Sequence, residues 1–144
     1  MQGARRSAEG MRRLAAALSV AALAGVATAA AGVPVPGPVV AGFATPSRNI
    51  ACNAGPNDGR PVLACTVFSA ESPTRGQKVW ALRPTGAVSV GYVIGNAATD
   101  IPTLAYGRSW TWRSIRCVSR SRGLTCRNPS GRGFFLSRAA QRVF

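Results

Sequence analysis

The chain contains no histidine, one lysine and only four acidic residues in 144. Without an imidazole no side chain has an ordinary pKa near neutrality, which removes His-based acid–base chemistry and His-containing metal sites. Beyond residue 31 the carboxylates are Asp58, Glu71 and Asp100, each in a stretch that reads as a loop. Nothing in their spacing pairs two of them as glycoside hydrolysis requires. Ser47, Ser109 and Ser137 lack a nucleophile-elbow context and a base, and Lys78 reads as a solvated side chain. Gly131-Arg132-Gly133 is too short for a phosphate loop, and no Walker or Rossmann pattern occurs. These absences point away from an enzyme and from any cofactor or metal. Long helices are disfavoured too, because all ten prolines and thirteen of the sixteen glycines lie after residue 31.

What is present begins with a leader. Arg5, Arg6, Arg12 and Arg13 precede an apolar run from Leu14 to about Ala31 that ends in small residues suited to A-x-A cleavage. This is the layout of a signal peptide over residues 1–31, and a Pro/Gly segment without a basic stop-transfer cluster follows it, which disfavours a retained membrane span. Cleavage would leave 14 basic and 3 acidic residues, a balance of +11, on a secreted or cell-wall-associated protein. Residues 32–41, rich in Pro and Val, are expected as an extended tether, and residues 42–144 as the domain.

Four cysteines, Cys52, Cys65, Cys117 and Cys126, are the usual arithmetic of two disulfides in a short exported chain. Three connectivities are open, and local pairing has a physical case. With Ser121 and Arg122 at the centre of a turn, Cys117 lies opposite Cys126 on neighbouring antiparallel strands. Cys52 and Cys65 flank Gly55-Pro56-Asn57-Asp58-Gly59-Arg60-Pro61, which reads as a stapled hairpin loop.

Short apolar runs broken by turn formers predict an all-β fold: a small disulfide-stapled antiparallel meander, sandwich or partly open barrel of six to eight short strands. Val62–Phe68 is one expected strand. Val79–Arg83 and Ala87–Ile94 form a hairpin about Pro84-Thr85-Gly86, with Val88, Val90, Tyr92 and Ile94 on one face. Trp110–Val118, Leu124–Arg127 and Gly133–Leu136 supply the last strands, and no internal repeat is visible.

Four ordered blocks, Phe43–Cys52 (FATPSRNIAC), Leu104–Gly107 (LAYG), Gly123–Asn128 (GLTCRN) and Gly131–Arg138 (GRGFFLSR), resemble a family of small secreted actinobacterial proteins that carry a domain of unknown function. The resemblance covers residues 43–138 and implies export, cysteine bridging and a compact β-rich fold, but no activity. Many members have His where this chain has Arg132, and an extra cysteine pair that is absent here. Taken alone, the block residues read as turn formers and core-edge aromatics.

From Arg108 to Phe144 there are nine arginines and no acidic side chain. Guanidiniums fork onto phosphates and carboxylates, and flanking indoles can stack on rings or enter a membrane interface. The expected anion-facing surface is Arg108, Trp110, Trp112, Arg113, Arg116, Arg120, Arg122, Arg127 and Arg132. Its partner would be an anionic envelope polymer, a lipid headgroup or an acidic protein; nucleic acid is disfavoured outside the cell. Against this, Trp110 and Trp112 alternate as strand core residues do. Three functions follow: a non-catalytic cationic binding module at the envelope, an inhibitor-like protein that inserts the Cys52–Cys65 loop into an extracellular enzyme, or a cationic membrane-active protein using the Arg/Trp segment.

Overall fold

The structure, a computed structural model, describes residues 32–73, 75–95 and 97–144, so the expected leader lies outside the described residues. Among the described residues there is no helix, and ten strands form two antiparallel sheets of five. The first sheet is β1 (Ala41–Ala44), β2 (Ile50–Asn57), β3 (Arg60–Val67), β4 (Gln77–Leu82) and β5 (Ser89–Val93), in chain order across the sheet. The second is β6 (Ser109–Trp112), β7 (Ile115–Arg120), β8 (Gly123–Arg127), β9 (Gly133–Leu136) and β10 (Gln141–Val143), again a simple meander. Their inner faces share one core, in which Phe43, Leu63, Trp80 and Leu82 meet Ile115, Leu124, Phe134 and Leu136. The fold is thus a sandwich of open sheets, and the barrel alternative falls away.

The count of ten strands, against six to eight expected, includes β1, β2 and β10, which fall outside the expected strands, and one expected strand that divides in two. The stretch Trp110–Val118, expected as one strand, is broken at Arg113–Ser114, whose φ values of 47° and 67° make a two-residue hairpin turn between β6 and β7. Neither residue is a strong left-handed former, so the sequence carries no turn signal there. Conversely, most of the Gly55–Pro61 stretch is strand. Asp58 and Gly59, at φ 50° and 68°, form the turn by themselves, with Asn57 opposite Arg60 and Pro56 opposite Pro61. Asp-Gly is the favoured pair for this geometry because both residues tolerate positive φ.

Each cystine joins opposed residues on the second and third strands of its meander. Cys52 faces Cys65 and Cys117 faces Cys126, with Cα–Cα separations of 4.0 Å in both. All four residues are fully buried. The registers extend this into a repeat of structure that has no counterpart in sequence periodicity. Phe43, Cys52, Cys65 and Trp80 form a row across β1–β4, and Trp110, Cys117, Cys126 and Phe134 form the matching row across β6–β9. The two rows touch where the Phe43 and Trp110 rings approach to 5.0 Å.

The outer face of the first sheet is covered as well. The segment expected as a tether lies along it: the Gly37 N–H donates to the Pro56 carbonyl (2.9 Å), Val40 N–H to Ala54 (2.8 Å) and Asn57 Nδ2 to Val35 (3.2 Å). Val62, Ala64, Val79 and Ala81, which point outward, are buried. In contrast, the expected apolar face of β5 alternates correctly yet is left uncovered, with Val90 44%, Tyr92 42% and Ile94 91% exposed.

Two polar clamps brace the sandwich, the first within one sheet and the second between the sheets. Arg83 donates from Nη2 to Asn57 Oδ1 (2.8 Å) and from Nη1 to the Arg60 and Pro61 carbonyls (3.2 and 3.3 Å). Desolvation pushes its guanidinium below the ordinary arginine range; Arg60 adds to the shift and Asp58 opposes it. Asn128, buried at the end of β8, donates from Nδ2 to the carbonyls of Arg83 (3.1 Å) and Gly86 (2.9 Å) in the other sheet, and accepts from the Arg132 N–H (3.1 Å). Asn128→Ala leaves these groups without their partner and is expected to cost about 2 kcal/mol. Asn128→Asp, which turns a carboxylate toward two carbonyls, should cost more. Urea unfolding of the oxidised protein measures both.

Candidate functional site

The inner residues of the second sheet fix which side chains its outer face presents. Ile115, Cys117 and Ser119 of β7, Leu124 and Cys126 of β8, and Phe134 and Leu136 of β9 are buried. Period-two alternation therefore turns Arg116, Val118 and Arg120, then Thr125 and Arg127, then Phe135, to the outside. Register arranges them in two rows. One runs Ser109, Val118, Thr125, Phe135, Arg142 across the five strands. The other runs Thr111, Arg116, Arg127 and Gly133. It continues to Phe144, which exchanges both backbone hydrogen bonds with Gly133 (3.0 Å each).

Arg116 and Arg127 thus stand directly opposite each other on neighbouring strands, where like charges repel. Arg142 lies over the Phe135 ring at 5.1 Å and Arg127 over the Phe144 ring at 4.2 Å. Gly133 makes the second contact feasible, since its missing side chain leaves room for the Phe144 ring. Gly123 serves Phe135 in the same way. At φ 152° it carries no Cβ that would strike that ring or the Leu136 carbonyl. The aromatic rings act as platforms that hold guanidiniums over a shallow concavity of about 380 Å³, with Arg122 at its rim. Among the described residues, none of these arginines is paired with a carboxylate. Guanidiniums held apart from acids can clasp phosphate or carboxylate oxygens in bidentate fashion.

Of the nine residues expected on the anion-facing surface, Arg116 and Arg127 lie on this face, with Arg120 and Arg122 at its β7–β8 end. Trp110 and Trp112 point inward and pack half-buried against the core, so they supply structure and not an exposed stacking surface. Arg113 sits in the β6–β7 turn, Arg132 in the β8–β9 loop and Arg108 just before β6, all exposed and away from the two rows. Sequence reasoning missed Arg142, Phe135 and Phe144. Their signal was the aromatic–arginine alternation near the end of the chain, which acquires meaning only through the β9–β10 register.

The polar residues of the four sequence blocks largely hold turns. Thr45 Oγ1 accepts from the Ile50 N–H (3.3 Å), and Asn49 clasps Ser69 through Nδ2 to Oγ (2.9 Å) and Oδ1 to N–H (3.1 Å). Arg48 donates to the carbonyls of Thr99 (2.5 Å) and Ile101 (3.2 Å), tying the 97–103 loop to the β1–β2 turn. Ser137 Oγ closes the β9–β10 turn on Ala140. Asp58, Glu71 and Asp100 lie in three separate loops. Among the described residues no group of three metal-ligating side chains forms, and no helix is long and apolar enough to cross a membrane.

Residues 83–144 match the model of a family of unknown function, DUF6636. The matched part holds β5, the whole second sheet and three of the four blocks; the block at Phe43–Cys52 lies outside it. No curated protein and no solved structure matches the chain.

Proposed function

We propose that the domain works outside the cytoplasm as a non-catalytic binding module that seats the arginine face of its second sheet on an anionic polymer of the cell envelope. The observation that carries this reading is the opposed pair Arg116–Arg127, with Arg122 and Arg142 lining a concavity beside Arg127 and no acidic side chain on these strands. Like charges in direct cross-strand register weaken a sheet, and a polyanion laid across the strands removes that repulsion. Buried cystines fit an oxidising compartment, which is where such polymers occur.

A chain of phosphate or uronate groups suits the face better than a bilayer does. The rings on it lie beneath guanidiniums, and both tryptophans of the β6 segment face the core, so few side chains are left to enter lipid. The inhibitor reading loses its loop, because the chain between Cys52 and Cys65 is paired strand down to the Asp58–Gly59 turn.

The test is retention of the oxidised protein on an immobilised glycerol-phosphate polymer and on a neutral polysaccharide. Binding to the phosphate polymer alone is expected, with release as ionic strength rises past about 0.15 M, where screening acts within about 8 Å. Binding should be flat from about pH 5 to 9, since the chain has no histidine to change charge in that range. Equal retention on the neutral polymer, or binding that resists salt, would contradict the reading.

A further inference from the structure

Beyond the sheet face, we infer a second, smaller site: a cleft at the β7–β8 end of the sandwich that takes one sugar residue carrying a phosphate or carboxylate group. The cleft has a volume of about 220 Å³ and lies where the β1–β2 turn, the segment before β6, the β7–β8 turn and the β9–β10 turn converge. All four sequence blocks contribute to its walls, although up to 93 positions separate Thr45 from Arg138. Each block's turn hydrogen bonds explain its local shape, but they do not explain why four unrelated turns meet around an open space.

The chemistry of the lining is of two kinds. Arg120, Arg122 and Arg138 bring three guanidiniums to one concavity, and the chain offers no acidic side chain after Asp100 to neutralise them. Beside them stand the hydroxyls of Thr45 and Ser47, oriented by the β1–β2 turn, and the half-exposed ring of Tyr106. Tyr106, Arg120, Arg122 and Arg138 make no side-chain hydrogen bond or ion pair within the described residues, so their donors remain available. The two hydroxyls are already bonded within their turn, so the groups left for a ligand are the guanidiniums and Tyr106: an anion alone would leave the ring idle, whereas a neutral sugar would leave the cations idle. A sugar bearing an acidic group engages both. The cleft, about 220 Å³ and open to solvent on one side, has room for a single sugar residue. Arg120 and Arg138 would clamp the acidic group, and Tyr106 would carry the ring face.

The inference is tested by amide chemical-shift titration of the oxidised full chain with glucose 6-phosphate, glucuronate, glucose and inorganic phosphate. One of the two acidic sugars is expected to move the amides of Tyr106–Gly107, Arg120–Gly123 and Ser137–Arg138, binding at least about tenfold more tightly than glucose or phosphate. Tyr106→Ala and Arg138→Gln, both exposed and unpartnered, should each weaken that binding about tenfold without lowering the melting temperature. Arg116→Gln, on the sheet face, should leave it unchanged. Silence of these amides toward both acidic sugars overturns the inference, as does inorganic phosphate binding as tightly as the sugar phosphate. Retention of Arg138→Gln on the glycerol-phosphate polymer reports on the sheet face separately, so either site can fail without the other. A polymer whose terminal sugar alone moves the same amides identifies the ligand as a chain end; glucose 6-phosphate acting equally well identifies a free sugar, and both outcomes support the site.

Discussion

Replacement of Cys117 and Cys126 together by alanine is expected to lower the unfolding free energy by about 3 kcal/mol, the chain-entropy value for a short closed loop. The Cys52/Cys65 pair should behave similarly. Losses of that size remove a large share of the roughly 5–15 kcal/mol a domain of this size possesses. The native protein should also resist reduction. All four cysteines are fully buried between the sheets, so a reductant reaches them only after the sandwich opens. Equilibrium unfolding with and without reductant, alongside the two alanine pairs, measures both effects. Rapid reduction at the full native melting temperature would show that the sulfurs are reached without unfolding and add little to stability.

The second large effect separates folding from binding. Arg116→Gln combined with Arg127→Gln removes the opposed cations from the centre of the sheet face, while leaving the core and both platform rings in place. Affinity for an anionic polymer should fall at least about tenfold at low salt. The slope of log affinity against log salt should shrink, since fewer phosphates are neutralised and fewer counterions released. Stability should hold or rise, because the substitution removes a cross-strand repulsion. A variant that binds normally but unfolds more easily would recast the pair as structural.

Much of this architecture was legible along the chain. Of the three connectivities open in the sequence, the structure has the one that local turns favoured, and the β7–β8 turn falls on Ser121–Arg122, where the spacing puts it. What could not be read was anything set by register between distant strands. The Arg113–Ser114 turn has no glycine or asparagine, so the strand around it looked continuous. That turn sets which of the following arginines face outward. The Pro/Val segment before β1 looked like a tether because its prolines donate no backbone hydrogen bonds; it nevertheless covers apolar residues of the first sheet through Gly37 and Val40. The matching aromatic–cystine–aromatic rows leave no trace in the sequence because different aromatics occupy equivalent places at unequal spacings. Tyr106 read as a core-edge ring and Arg138 only as the end of a sequence block, and it is the convergence of four turns that puts them at one cleft.

The most direct measurement on the central claim is an amide chemical-shift map of the oxidised protein titrated with a soluble glycerol-phosphate polymer. Perturbations should gather on Arg116, Val118, Thr125, Arg127, Phe135 and Arg142–Phe144, fade with added salt, and leave the strap over the first sheet untouched. Shifts concentrated on β5 or the strap, or a polymer that binds without disturbing β7–β10, would contradict a role for the arginine face.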